Sequence, residues 1–320
     1  MRVYIKTFGC QMNEKDSERM LRILNCEKAE SPQTAEVIII NTCAVREKPE
    51  NKVFSELGLY KNLKTEKPGI KIGVTGCVAQ IYGENLIKKI PYLDFVAGTQ
   101  VVNKIPEILE RVKKGERLSD TSVNYDENDR FLSPVREKEV NSVKSYVTIQ
   151  EGCNQFCSFC IVPLTRGREI TRPSSDILIE IKKLVENGVK EVTLLGQNVN
   201  RYGRNSEDLT FPQLLKEINN IEGLKRIRFT TSNPKYVDEE LIKAFKELEK
   251  LCEHIHLPVQ SGSDSVLRMM RRKYTRSFYL EIVEKLRKNV PNIAITTDII
   301  VGFPGESEKD YEKSTCPYNQ

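Results

Sequence analysis

Apolar residues along this chain fall in short runs that alternate with helix-length stretches of three-to-four-residue periodicity. Residues 3–8, 36–41, 70–74 and 95–98 read as strands, and 16–24, 47–59, 79–90 and 103–114 read as the helices between them. Short β-rich runs separated by helices of about a dozen residues predict a parallel sheet flanked by helices. Between 114 and 142 the pattern lapses into charged and turn-forming residues, including Ser133-Pro134, which predicts a linker. From Tyr146 the alternation resumes, with strand-like runs at 146–150, 192–195, 226–230, 254–257 and 293–301 and helical stretches such as 176–187 and 238–250. Five such units in one direction predict a barrel or partial barrel whose reactive residues gather at the C-terminal ends of the strands. The expected fold class is therefore α/β: an N-terminal parallel-sheet domain of Rossmann or flavodoxin-like type over 1–117, a linker over 118–138, and an incomplete (β/α) barrel over 139–320.

Composition narrows the setting. At 320 residues, 39% apolar and 30% charged, the chain is long enough for two buried cores, and no apolar run approaches the roughly 20 residues that span a bilayer. The first eight residues, Met1 to Phe8, read as a strand rather than a signal peptide, so a soluble, cytoplasmic protein without a membrane partner is expected. A net charge of +5 is compatible with a polyanionic partner without requiring one. Nine cysteines, an odd number in a chain without secretory features, point to metal or catalytic use rather than a disulfide framework.

The candidate chemistry lies in those cysteines. Cys153, Cys157 and Cys160 form a C-x3-C-x2-C spacing directly after a strand-like run. Three thiolates so spaced can ligate three irons of a four-iron cubane and leave the fourth open. A structural zinc would need a fourth ligand, which is not evident; His254 and His256 are the only imidazoles. Unligated core cysteines are the remaining reading. Cys10, Cys43 and Cys77 each end a strand-like run, and in a parallel sheet such ends converge on one crevice. Gly9, Gly76, Thr42 and Thr75 beside them would let backbone amides approach sulfide. Spacing alone leaves both a second cluster and buried structural cysteines open. Cys26, Cys252 and Cys316 fit no motif and read as packing residues.

The residues also resemble a known family, the radical S-adenosylmethionine methylthiotransferases. The similarity rests on Thr7-Phe-Gly-Cys-Gln-Met-Asn13, Asn41-Thr-Cys-Ala-Val-Arg-Glu-Lys48 and Thr75-Gly-Cys-Val-Ala-Gln80 in the first half. In the second half it rests on residues 145–172, Leu194-Leu-Gly-Gln-Asn-Val199, Thr230-Thr-Ser-Asn-Pro234, His256-Leu-Pro-Val-Gln-Ser-Gly-Ser263 and the run 296–306. It extends from residue 1 to about 313. Cys10-Gln-Met-Asn13 and Val45-Arg-Glu-Lys48 resemble the tRNA-modifying MiaB-type branch, which converts N6-isopentenyladenosine beside the anticodon to its 2-methylthio form. The alternatives are methylthiolation of another substrate (threonylcarbamoyladenosine in tRNA, or a ribosomal protein), an iron–sulfur protein that only transfers electrons or binds RNA, and an inactive fragment.

The resemblance implies two [4Fe-4S] clusters, at Cys153/Cys157/Cys160 and at Cys10/Cys43/Cys77, together with S-adenosyl-L-methionine bound at the open iron of the first. A 5′-deoxyadenosyl radical would take hydrogen from carbon 2 of the adenine, the second cluster would carry the sulfur, and a further S-adenosylmethionine would donate the methyl group. The protein would do this as a monomer, with the tRNA anticodon stem-loop as substrate and an electron donor such as flavodoxin or ferredoxin. The resemblance sets Phe159 near the cofactor's adenine, with packing in the barrel mouth as the other reading. Gln197 and Gln260 follow strand-like runs and could face cofactor or substrate, or be ordinary loop residues. Arg166, Arg168 and Arg172 form a basic stretch that could hold RNA phosphates or be a solvated face. The family continues beyond the Gly-Phe-Pro-Gly-Glu306 run with a sixth strand and a TRAM-type RNA-binding domain, both expected to be absent here, and residues 314–320 do not continue the helix begun at Ser307.

Overall fold

A computed structural model describes residues 1–45, 47–123, 131, 142–204 and 206–315. Arg46, nearly all of the expected linker beyond 123, and Cys316 with the final residues lie outside the described set. The chain divides into two compact units, Met1–Leu132 with Ile161–Arg168, and Ser133–Cys160 with Glu169–Gln320.

The first unit is built on six parallel strands, β1 (Arg2–Phe8), β2 (Glu27–Lys28), β3 (Val37–Thr42), β4 (Lys71–Gly76), β5 (Phe95–Ala97) and β6 (Leu118–Asp120), ordered β2-β1-β3-β4-β5-β6. Helices α1 (Gln11–Leu24), α2 (Glu47–Glu66), α3 (Cys77–Tyr82), α4 (Glu84–Lys89) and α5 (Ile105–Lys113) cover it. Successive side chains of a strand point to opposite faces, so the unbroken apolar run of β3 feeds two cores. Ile38 and Ile40 join Val53, Leu57, Ile72 and Val74, while Val37 and Ile39 join Met20, Ile105 and Leu109. Each such side chain contributes roughly 1.5–3 kcal/mol by leaving water.

Three local expectations change. Helix α1 begins at Gln11 rather than 16, because its polar first turn buries Met12 and Asn13 beneath the strand ends. The stretch 79–90 forms two helices, because Gly83 takes a positive φ of 44° that ends α3 and starts α4. The stretch read as a linker from 118 opens with β6, a three-residue edge strand too short and polar to carry a period.

In the second unit, β7 (Lys144–Thr148), β10 (Glu191–Leu195) and β11 (Arg226–Phe229) are parallel neighbours in the order β11-β10-β7. A parallel bridge between Ile227 and Leu251 continues the array toward β12 (His254–His256), which pairs in parallel with β13 (Ala294–Thr296). Helices Ser174–Glu186, Phe211–Asn219, Glu239–Glu247 and Arg276–Asn289 lie between these strands. One continuous core holds Val147, Val192, Ile227 and Ile255 of the strands against Ile181, Leu215, Leu241 and Leu286 of the helices. The result is a five-stranded, all-parallel partial barrel. A short antiparallel pair, β8 (Gln150–Glu151) with β9 (Ile170–Thr171), forms the base of the loop that carries Cys153, Cys157 and Cys160.

Candidate functional site: two cysteine triads

The first triad is set by strand register. Phe8 is level with Thr42, and Thr42 with Gly76, so β1, β3 and β4 end on one line. Cys43 and Cys77 follow those ends at once, and Cys10 follows Gly9. The β1/β3 junction is also where strand order reverses, the position at which open parallel sheets form their binding crevice. The Cys43 amide donates to the Phe8 carbonyl at 2.9 Å, which fixes its loop against β1. Beneath the thiols lies a buried amide network. Asn13 Oδ1 accepts from Cys10 Sγ at 3.3 Å, Asn13 Nδ2 donates to Asn41 Oδ1 at 3.2 Å, and Asn41 Nδ2 donates to the Asn13 carbonyl at 2.8 Å.

Two glycines keep this crevice open. A Cβ on Gly9, at φ +142°, would lie 2.4 Å from the Cβ of Cys43. One on Gly76, at φ +87°, would lie 2.4 Å from Asn41 Oδ1 and 2.5 Å from the Thr42 carbonyl. Cys43 shares hydrogen bonds with both other thiols. That sharing lowers Cys10 and Cys77 to about 6, against desolvation and with the help of the Arg166 charge, and pushes Cys43 upward. Cys10 also caps the N-terminus of α1 and Cys77 opens α3, where the helix dipole favours thiolate.

The second triad sits on a loop pinned from several sides. The Gly152 amide donates to Gln197 Oε1 at 2.5 Å, Gln155 Nε2 donates to the Tyr236 hydroxyl at 2.8 Å, and Ser158 Oγ donates to the Met269 carbonyl at 2.9 Å. The Cys160 amide closes a turn onto the Cys157 carbonyl at 3.0 Å. Cys153 is buried, and burial pushes its thiol up to about 11. Arg272 Nη1 donates to Cys157 Sγ at 3.4 Å. Sequence reading passed over Arg272 because Arg271-Arg272-Lys273 has the form of a solvated basic run.

Of the weaker candidates, Gln197 reaches back to the cluster loop, Phe159 is half-buried beside Cys160, and Gln260 takes a left-handed φ of 72° where its backbone bridges Ile299. The basic stretch divides. Arg166 pairs with Asp16 and Arg172 with Glu180, all four buried, while Arg168 is exposed. Two of the three guanidinium groups are thus withdrawn from any phosphate, because each occupies an internal carboxylate.

The described cysteines are all free thiols. Among the described residues, no three His, Cys, Asp or Glu side chains converge tightly enough to hold a single metal ion. The all-thiol donor set of each triad, with glycines leaving room at the first, is compatible with an iron–sulfur cluster.

The parallel partial barrel with a three-cysteine loop after its first strand defines the class. The radical SAM superfamily profile matches residues 147–315, and that of the uncharacterized protein family UPF0004 matches 2–98. Similar folds occur in the radical S-adenosylmethionine methyltransferase TsrM from Kitasatospora setae (TM-score 0.68, 14% identity, 98% of this chain and 70% of that one) and in the cobalamin-dependent S-adenosylmethionine radical enzyme OxsB (TM-score 0.66, 11% identity, 98% and 51%).

Curated relatives are far closer in sequence. The chain is 51% identical over 314 residues to the tRNA-2-methylthio-N(6)-dimethylallyladenosine synthase of Geobacter sulfurreducens and 49% identical over 319 residues to that of Clostridium botulinum strain Langeland. Each match covers 97% of this chain and 70% of the relative. The chain belongs to the tRNA-2-methylthio-N(6)-dimethylallyladenosine synthase family of radical SAM enzymes.

Proposed function

We propose that this protein adds a methylthio group to carbon 2 of N6-isopentenyladenosine beside the anticodon of tRNA, using two [4Fe-4S] clusters and S-adenosylmethionine. The observation that carries this reading is the level placement of Cys10, Cys43 and Cys77 at three neighbouring strand ends, in a chain half-identical to synthases named for that product. When bound, the cofactors supply one-electron cleavage of S-adenosylmethionine, sulfur for insertion and a methyl group.

The chain's own residues do the rest. Cys153, Cys157 and Cys160 would hold one cluster, and Gln197, Gln155 and Ser158 fix the loop that carries them. Arg272 sets a positive charge against the Cys157 sulfur, as suits an anionic centre. Cys10, Cys43 and Cys77 hold the other cluster, and the Asn13–Asn41 network orients the Cys10 thiol. Phe159 and Gln260 complete the cofactor's surroundings. Domains at 1–117 and 139–320, a cytoplasmic location, a flavodoxin- or ferredoxin-type donor and a monomeric state belong to the same reading. Among the described residues no helix is long and apolar enough to cross a membrane.

The test is incubation of the anaerobically reconstituted protein with S-adenosylmethionine, a reductant and tRNA bearing N6-isopentenyladenosine, followed by nucleoside mass spectrometry. The 2-methylthio nucleoside is expected. Formation of 5′-deoxyadenosine with the nucleoside unchanged would overturn the substrate assignment.

A further inference from the structure

We propose that Arg166, clamped by Asp16, is a positioning residue of the Cys10/Cys43/Cys77 centre, and that its buried positive charge sets how readily that centre accepts an electron. The inference rests on reading that centre as an iron–sulfur cluster. Arg166 follows Cys160 by six positions, yet residues Ile161–Arg168 cluster with the first unit. There the turn Val162–Thr165 packs against α3, the helix that opens with Cys77, and the Thr99 hydroxyl donates to the Thr165 carbonyl. These contacts deliver Arg166 to Asp16 on α1, the helix capped by Cys10, with Nη2 2.6 Å from Oδ2. The two side chains are 4% and 8% exposed.

A buried ion pair beside an anionic centre has an electrostatic consequence beyond packing. Away from water, removing a guanidinium and a carboxylate from solvent is costly, and an isolated pair of this kind is often no better than apolar packing. Three thiolates around a cluster supply the further negative charge that Arg166 can offset. Asp16 shares the buried face of α1 with Asn13, one turn earlier, whose side chain binds Cys10 Sγ, so the pair sits next to the support of that thiol. Reduction adds one more negative charge, and net charge is among the quantities that set cluster potential. Arg166 therefore makes reduction easier and Asp16 makes it harder. A role in packing alone would give no such opposition of sign.

The experiment uses the whole 320-residue chain with Cys153, Cys157 and Cys160 replaced by Ala, so that only the centre in question can load. Each variant is reconstituted with iron and sulfide and titrated with dithionite, and the reduced signal is followed by electron paramagnetic resonance. R166Q is expected to move the midpoint to a more negative potential, D16N to a more positive one, and R166K to stay nearer the parent than R166Q. If R166Q fails to fold, the D16N shift and the R166K comparison carry the same test. Unchanged midpoints, or shifts of the same sign in R166Q and D16N, would overturn the inference. Failure of the Arg166-containing parent to load any cluster would overturn the two-cluster reading itself, and the inference with it.

Discussion

Cys10 and Cys153 are both proposed cluster ligands, yet their surroundings push them in opposite directions. Cys10 shares a hydrogen bond with Cys43 and lies near Arg166, which brings it to about 6, while burial takes Cys153 to about 11. Only the thiolate is a good nucleophile. In the reduced apo-protein at about pH 7.5, iodoacetamide should therefore alkylate Cys10 well before Cys153, with peptide mass spectrometry as the readout. Equal rates would show that the hydrogen-bonded arrangement around Cys43 does not form. Gly9 offers a second residue-level test. Alanine there would set its Cβ 2.4 Å from that of Cys43 at a φ that L-residues rarely adopt. Gly9→Ala should cost more than about 1 kcal/mol in denaturant unfolding. It should also lower the iron held by the first unit while leaving 5′-deoxyadenosine formation intact. Spacing singled out Cys153, Cys157 and Cys160, whereas Cys10, Cys43 and Cys77 stood out by their place after strand-like runs, with packing left open as the other reading. The supports were not legible, because Asn41, Asp16 and Arg272 act through contacts far apart in sequence, and a polar residue in a short motif, such as Asn13, looks alike whether it faces water or a buried thiol.

At the scale of elements, the central strand β3 and the β8–β9 base carry the sites. Ile39 of β3 is fully buried against residues of the helices α1 and α5. Ile39→Ala should cost roughly 2–5 kcal/mol, seen as a lower denaturation midpoint with an unchanged m-value. Arg172 follows β9 and binds Glu180 of the helix Ser174–Glu186, while its carbonyl accepts from the Tyr202 hydroxyl at 2.7 Å. Arg172→Ala would strand a buried carboxylate and should destabilise the second unit by about 3–5 kcal/mol, a loss that a surface phosphate-binding arginine would not show. The long apolar strands and their helices could be read from periodicity because both faces of the sheet are covered. The two-residue strands β2, β8 and β9 and the polar edge strand β6 could not, since a run that short has no period. Pairing with a longer neighbour, rather than local propensity, creates them.

At the scale of the molecule, two parallel-strand units each present three thiols at the C-terminal ends of strands, and the alternation of strand and helix announced both. What sequence pattern alone did not announce is that the chain leaves the second cysteine loop at Cys160, folds with the first unit through Arg168, and only then returns to the partial barrel. The central claim is that each triad holds its own cluster and that radical chemistry belongs to the second. It is tested most directly by anaerobic reconstitution of wild type and of the Cys153→Ala/Cys157→Ala/Cys160→Ala variant, with iron and 5′-deoxyadenosine measured together. The account predicts about eight irons per chain in wild type and about four in the variant, with 5′-deoxyadenosine abolished. Four or fewer irons in wild type, or 5′-deoxyadenosine persisting in the variant, would contradict it.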